Sequence, residues 1–169
     1  MNHYASLFKA LNDKSVRYVV VGGLAVVLHG VSRFTEDVDL IVHLEKENLA
    51  KFTECMDTLG FKAKVPADPK LLFDPAVRRD WQDNRNMKVF SFFHATDHHR
   101  IVDMFISEPI DFGNLYADHV DIALGSVTVP TASILHLKAL KREANRPVDI
   151  ADIQSLDNLA AMSKEDTHE

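Results

Sequence analysis

The chain has 169 residues, 46% hydrophobic and 26% charged, with a net charge of −6; that length suits one domain with its own core, and the acidic balance argues against a broad, general nucleic-acid-binding surface. No apolar run approaches the roughly 18 residues of a membrane span, and the N-terminus lacks the basic-then-apolar layout of a signal peptide. A lone cysteine, Cys55, excludes an intrachain disulfide, so a reducing, cytoplasmic setting is expected.

Tyr4, Phe8 and Leu11 recur at helical spacing and predict a short amphipathic helix over 3–13. The run from Val16 to Val21 is β-branched, aromatic and nearly all apolar, as a strand buried on both faces would be. Gly22-Gly23 turns the chain into a second, apolar helix from Leu24 to His29, stopped by Gly30. Residues 31–36 read as a loop, and Asp37 to Val42 as a strand. Leu49, Phe52, Met56 and Leu59 share one face of a helix over 45–59 that Gly60 ends.

Phe61 to Val65 is a further strand; 66–86, broken by Pro66, Pro69 and Pro75, reads as loop plus a short helix. Met87–Phe93 and Arg100–Ile106 predict a hairpin that turns through 94–99. A connector follows Pro109, then strands over 120–124 and 127–129, then helices over 131–144 and 148–161 separated by Arg146-Pro147. The mixture is α+β, a mixed β-sheet flanked by helices, as a single domain over 1–162 with a flexible tail over 163–169.

Three aspartates carry the chemistry. Strand side chains alternate faces, so Asp37 and Asp39 point the same way, roughly 6.5–7 Å apart at ~3.3 Å per residue. Two such carboxylates repel each other unless a cation lies between them. Magnesium takes hard oxygen ligands, accepting one or two carboxylates together with substrate phosphate oxygens. Asp103, in the apolar run Arg100-Ile-Val-Asp-Met-Phe-Ile, needs a partner or an ion for the same reason. If its strand neighbours the Asp37–Asp39 strand, three carboxylates converge. An isolated Asp-x-Asp is commonly a solvated strand end or a helix cap; the trio after a strand, a Gly-Gly turn and a helix is a stronger signal. Glycines let a triphosphate approach the backbone, and a helix N-terminus offers it free N–H groups.

Gly22-Gly23-Leu-Ala, His29-Gly30 and Ser32-Arg33-Phe-Thr35-Glu-Asp37-Val-Asp39 together resemble the signature of the DNA-polymerase-β-like nucleotidyltransferase superfamily. The likeness is to its small bacterial and archaeal branch, related to abortive-infection and toxin–antitoxin nucleotidyltransferases. The stretch Ile134 to Ile153, with Lys138, Arg146, Asp149 and Asp152, is similar to the C-terminal helical segment of that branch. The resemblance covers roughly residues 16–160.

It implies a polymerase-β palm-like fold and a magnesium-dependent transfer of a nucleoside monophosphate from a nucleoside triphosphate such as ATP. Asp37, Asp39 and Asp103 would hold two Mg2+ ions, and Asp103 would also help to deprotonate the acceptor hydroxyl. Gly22 and Gly23 would line the phosphate-binding turn, with Arg33 and Thr35 ordering the loop and Lys138 reaching the triphosphate. Many members carry Gly-Ser where this chain has Gly22-Gly23, so the serine hydroxyl is missing here; Gly-Gly does occur in the small branch.

Other residues have plainer readings. Lys138, Lys141 and Arg142 form either a solvated basic face or a phosphate contact. Arg146, Asp149 and Asp152 are read as structural. His94, His98 and His99, with Asp97 between them, sit on a predicted hairpin tip with no cysteine near, whereas a zinc site wants four ligands in defined geometry, often including cysteine. Arg78, Arg79, Trp81, Arg85 and Lys88 interleave charge with a ring able to stack on a base, but a surface segment with one anchored Trp fits them better. His29 is read as a packing histidine and Cys55 as inert. The acceptor stays open among an RNA 3′ end, a protein hydroxyl and a small molecule. The chain's shortness leaves presentation of the acceptor to a partner protein or to a second copy in a homodimer. The alternative is a catalytically inactive nucleotide-binding module or partner subunit of the same fold.

Overall fold

In the computed structural model, residues 2–167 are described. Seven helices and seven strands follow in the order α1 Asn2–Asp13, β1 Tyr18–Val21, α2 Gly22–Leu28, β2 Val38–Val42, α3 Lys46–Thr58, β3 Phe61–Ala63, α4 Pro75–Arg85, β4 Val89–His94, β5 Ile101–Phe105, α5 Phe112–Ala117, β6 Val120–Leu124, β7 Val127–Thr131, α6 Ile134–Ala144 and α7 Pro147–Glu165, with a 3-10 turn at Pro69–Phe73.

The strands form one mixed sheet ordered β3-β4-β5-β2-β1-β7-β6. Pairing is antiparallel within the hairpins and between β1 and β2, and parallel between β2 and β5 and between β1 and β7. Strand alternation assigns each face. One face, carrying Tyr18, Leu40, Phe90, Phe92, Val102 and Met104, is sealed at 0 to 1% exposure. Ring contacts show which helices seal it. Phe8 of α1 stacks on Tyr18 at 6.0 Å, Phe52 of α3 meets Phe92 edge-on at 5.8 Å, and Trp81 of α4 lies on Phe90 at 5.7 Å. Truncating one of these buried rings to alanine costs about 3–5 kcal/mol.

Chain punctuation explains the helix ends. Asp74 caps α4 by accepting from the Ala76 N–H at 2.8 Å, Pro75 occupies its first turn, and Asn86 ends it in the left-handed conformation (φ 51°). Ser133 caps α6, and Asn145 (φ 51°) ends it. Asp149 then caps α7, its carboxylate accepting from the Arg146 backbone N–H at 3.0 Å and from Arg146 Nε at 2.8 Å, with Pro147 at the first position of the helix.

Three expectations change in detail. Segment 66–86 holds an eleven-residue α4, because Asp74-Pro75 restarts the chain after the proline-rich stretch. The expected connector after Pro109 contains α5, capped by Asp111, which accepts from the Asn114 N–H at 3.0 Å. Helix α7 runs through Glu165, into the expected tail, and residues 168–169 lie outside the described residues.

The segment around Trp81 packs inward. Trp81 is 7% exposed, and the Arg78 guanidinium donates to the Leu72 carbonyl at 2.5 Å. His29 ties α2 to the chain before α6 through the Ala132 carbonyl at 2.8 Å. Burial pushes the Cys55 thiol up from its ordinary range, which keeps it protonated. No helix is long and apolar enough to cross a membrane among the described residues.

Candidate active site

The sheet register brings the aspartates together. Asp39 lies opposite Val21, the last residue before the glycine turn, and on its other side opposite Asp103 of β5. Opposite residues on neighbouring strands share a face, so Asp39 and Asp103 stand side by side. Asp37 directly precedes β2. All three line a cavity of about 390 Å³, together with Gly22, Gly23, Arg33, Thr35, Lys141, Arg146 and Asp152.

The cavity is electrostatically unequal. Burial raises the Asp39 carboxyl, and the charges of Asp103 and Asp37 raise it further, to about 7, against the opposing pull of Lys141 and Arg146. Asp37 is also raised, first by burial and then by Asp103 and Glu36, while Lys64 draws it back. Asp103 is held in place by the Ser91 hydroxyl, which donates to its Oδ1 at 2.5 Å.

The two glycines are needed by close approach. Gly22 has φ +69°, and a Cβ there would collide with the Asp39 carboxylate. A Cβ on Gly23 would stand 2.9 Å from Thr35 Oγ1 and 3.1 Å from Arg33 Nη2. The Thr35 hydroxyl therefore fills the space that a serine at position 23 would occupy. No side chain caps α2, so its first N–H groups are left to a ligand or to water.

The loop carrying Arg33 and Thr35 is clamped from both ends. Tyr4 of α1 donates to the Glu36 carbonyl at 2.9 Å. Arg33 is ion-paired with Asp152 of α7. Asp152, 4% exposed, also accepts from Lys141 Nζ at 2.7 Å, and Lys141 lies 3.6 Å from Asp149. Burial works against ionisation of Asp149, but hydrogen bonds from the Arg146 side chain and backbone outweigh it and hold the carboxyl below its ordinary range.

Lys138 is the one proposed site residue that the structure places elsewhere. Its ammonium pairs with Asp157 at 2.5 Å and does not line the cavity, whereas Lys141, one turn further along α6, does. The same chain of ion pairs draws in Arg146 and Asp152, which the sequence suggested only as structural. Their signal was the lysine–aspartate spacing across the Asn145–Pro147 break, but only the packing of α6 on α7 shows which lysine faces inward.

Among the described residues, no three His, Cys, Asp or Glu side chains form a ready metal cage. The hairpin histidines serve locally: His94 Nε2 meets the Leu59 carbonyl at 3.0 Å. The donor set around Asp39 nonetheless suits a hard divalent cation. It consists of carboxylate oxygens whose mutual repulsion a cation relieves, in an open cavity with room for phosphate oxygens to complete the coordination.

The family described as "Nucleotidyltransferase of unknown function (DUF6036)" matches residues 3–165. No curated protein matches the chain by sequence. Among solved structures, the chain is similar to ANT(2")-Ia in complex with adenylyl-2"-tobramycin (13% identity, TM-score 0.59, covering 98% of this chain and 92% of that one). It is similar also to the lincosamide antibiotic adenylyltransferase LnuA bound to lincomycin (17%, 0.57, 88% and 90%). A third is an antigenic nucleotidyltransferase-like protein from Paracoccidioides brasiliensis (18%, 0.58, 93% and 75%). At these identities the likeness is one of fold.

Proposed function

The chain belongs to this nucleotidyltransferase family, and from that membership we propose that it lies within the polymerase-β-like superfamily and moves a nucleoside monophosphate from a nucleoside triphosphate onto an acceptor hydroxyl, with magnesium. The observation that carries the reading is the row Val21–Asp39–Asp103. It sets two carboxylates beside the glycine turn, with Asp37 in the same cavity.

Asp37, Asp39 and Asp103 would hold two Mg2+ ions. When bound, magnesium would offset the charge that develops at the α-phosphate and on the departing pyrophosphate. The other duties fall to this chain's own groups. The Gly22-Gly23 backbone and the Thr35 hydroxyl receive phosphate oxygens, Thr35 standing in for the serine that many relatives carry. Lys141 and Arg146 supply positive charge from the α6–α7 side, and Arg33 keeps the loop in register. Asp103, fixed by Ser91, faces the acceptor and accepts its hydroxyl proton.

The functional domain is taken as residues 1–162. A cytoplasmic setting is part of the proposal, supported by the single cysteine and the need for nucleoside triphosphates. A toxin–antitoxin role rests only on the resemblance of the glycine–aspartate stretch. An inactive nucleotide-binding module is the second reading, and the intact aspartate trio favours the enzyme over it.

The test is transfer of label from each of four α-³²P-labelled nucleoside triphosphates, with magnesium, to cellular RNA, to protein or to antibiotic acceptors such as tobramycin and lincomycin. Asp39→Asn serves as the comparison. Label transfer that Asp39→Asn lacks supports the enzyme. Nucleotide binding with neither pyrophosphate release nor label transfer in any pool supports the inactive module.

A further inference from the structure

Resting on the nucleotidyltransferase reading, we propose that the open face of β3, β4 and β5 is the acceptor site, and that it takes the 3′ end of a short single-stranded nucleic acid. The register runs a row of side chains across four strands on one face: Asp39, Asp103, Ser91 and, one residue past β3, Lys64. The neighbouring row carries Ile101, Phe93 and Lys62.

The two faces of these strands differ sharply. On the far face Phe90, Phe92, Val102 and Met104 are at most 1% exposed. On this face Ser91, Phe93 and Ile101 are only half-buried, and Lys62 and Lys64 are exposed. This surface begins at the reacting carboxylates and ends at two cations on the sheet edge.

Charge selects the occupant. A polycationic acceptor would meet two lysines along the approach to Asp103. An oligonucleotide would set backbone phosphates on Lys62 and Lys64 and a base against the Phe93 ring, the combination used wherever single strands are held without sequence readout. Its terminal hydroxyl would then lie at Asp103, whose carboxylate takes the proton. The oxygen attacks the α-phosphorus, the bond to the β-phosphate oxygen breaks, and pyrophosphate leaves. Two lysines cover only a few nucleotides, which agrees with the net charge of −6.

The experiment uses the full chain and a fluorescein-labelled twelve-nucleotide RNA with a free 3′ hydroxyl. Binding is read by anisotropy across a salt series, and addition of label from α-³²P-labelled nucleoside triphosphates with magnesium is read on gels. Lys62→Glu/Lys64→Glu and Phe93→Ala are compared with Lys46→Glu, an exposed charge on α3, and melting curves confirm that each variant folds. The expected result is extension of the RNA and about a tenfold or larger loss of RNA affinity in the double variant. Its salt slope should fall by about 1.4, the value for two lost phosphate contacts on a single strand. Phe93→Ala should raise KM for the RNA with kcat nearly kept, and Lys46→Glu should behave as the parent. Equal RNA binding by parent and double variant would overturn the proposal. So would label moving to tobramycin or to protein at the same rate in both, which would leave the transferase reading standing. Lysine-dependent RNA binding without triphosphate binding would uphold the surface and remove the reading on which it rests.

Discussion

Asp39 is under two opposing demands. The proposed metal binding needs it ionised, while burial and the charges of Asp103 and Asp37 favour its protonated form and raise it to about 7. The folded carboxyl is raised above its unfolded value, so folding takes up a proton between about pH 4 and pH 7, and the metal-free chain loses stability as pH rises through that window. Above it the penalty is complete, on the order of 4 kcal/mol. Asp39→Asn should therefore raise the melting temperature of the metal-free protein at pH 8, raise it little at pH 4, and lower transfer by orders of magnitude. Parallel melting and activity curves check this; an equal shift at both pH values would remove the burial argument. Thr35 offers a second test. Gly23→Ser would press on Thr35 Oγ1, 2.9 Å from the new Cβ, and should raise KM for the triphosphate about tenfold, roughly the loss of one hydrogen-bonding contact. Thr35→Ala in the same chain clears the space and returns a hydroxyl at position 23, so the double variant should bind nucleotide better than either single one. The aspartates and glycines were legible in the sequence because strand alternation and backbone freedom are local rules. The crowding of position 23 by Thr35 was not, because it joins residues twelve positions apart through a loop of no regular form.

The α6–α7 pair shows the same limit for whole elements. Both helices could be read from periodicity and from the Arg146-Pro147 break, but their relative rotation could not, and that rotation decides that Lys141 faces the cavity while Lys138 pairs with Asp157. A helix phase error of one turn leaves every local rule satisfied. α5 was missed for another reason: six residues are too few for a periodic signal, and only Asp111 at its cap marks it. Lys141 is 6% exposed between Asp149 and Asp152, so removing its charge leaves buried carboxylates short of a partner. Lys141→Met should destabilise the chain by about 3 kcal/mol. Because Asp152 also holds Arg33, it should slacken the loop over 31–36 and raise KM for the triphosphate. Lys138→Met, which breaks only the partly exposed pair with Asp157, should cost under about 1 kcal/mol. Urea titration of both variants separates the two positions, and equal costs would mean that the inward phase of α6 is wrong.

Across the whole molecule, one face of the sheet is sealed throughout, while the other is buried at β1 and β2 through Val19, Val21 and Ile41 and opens beyond them, where β5 carries Asp103. α1, α3 and α4 seal the first with packed rings. The second face carries three clustered carboxylates whose mutual repulsion Lys141, Arg146 and Lys64 offset only in part, so the protein's stability should be strongly ligand-linked. A ligand that binds only the folded state adds RT ln(1 + [L]/Kd), about 2.7 kcal/mol at a concentration one hundred times Kd. Magnesium with a non-hydrolysable triphosphate should therefore raise the melting temperature by several degrees, since 1 kcal/mol moves a chain of this size by about 2–4 °C. The shift should be larger at pH 8 than at pH 5, because at the lower pH protonated Asp39 competes with the cation for its own oxygens. It should shrink steeply in Asp39→Asn, where one ligand is lost and the repulsion that binding relieves is already reduced. Scanning fluorimetry with magnesium alone, triphosphate alone and both together resolves the parts. A shift with triphosphate that is indifferent to magnesium would assign the cavity to nucleotide binding through Gly22, Gly23 and Lys141 and withdraw the carboxylates from metal binding. A shift that needs both would tie the charge on the open face to the reaction it serves.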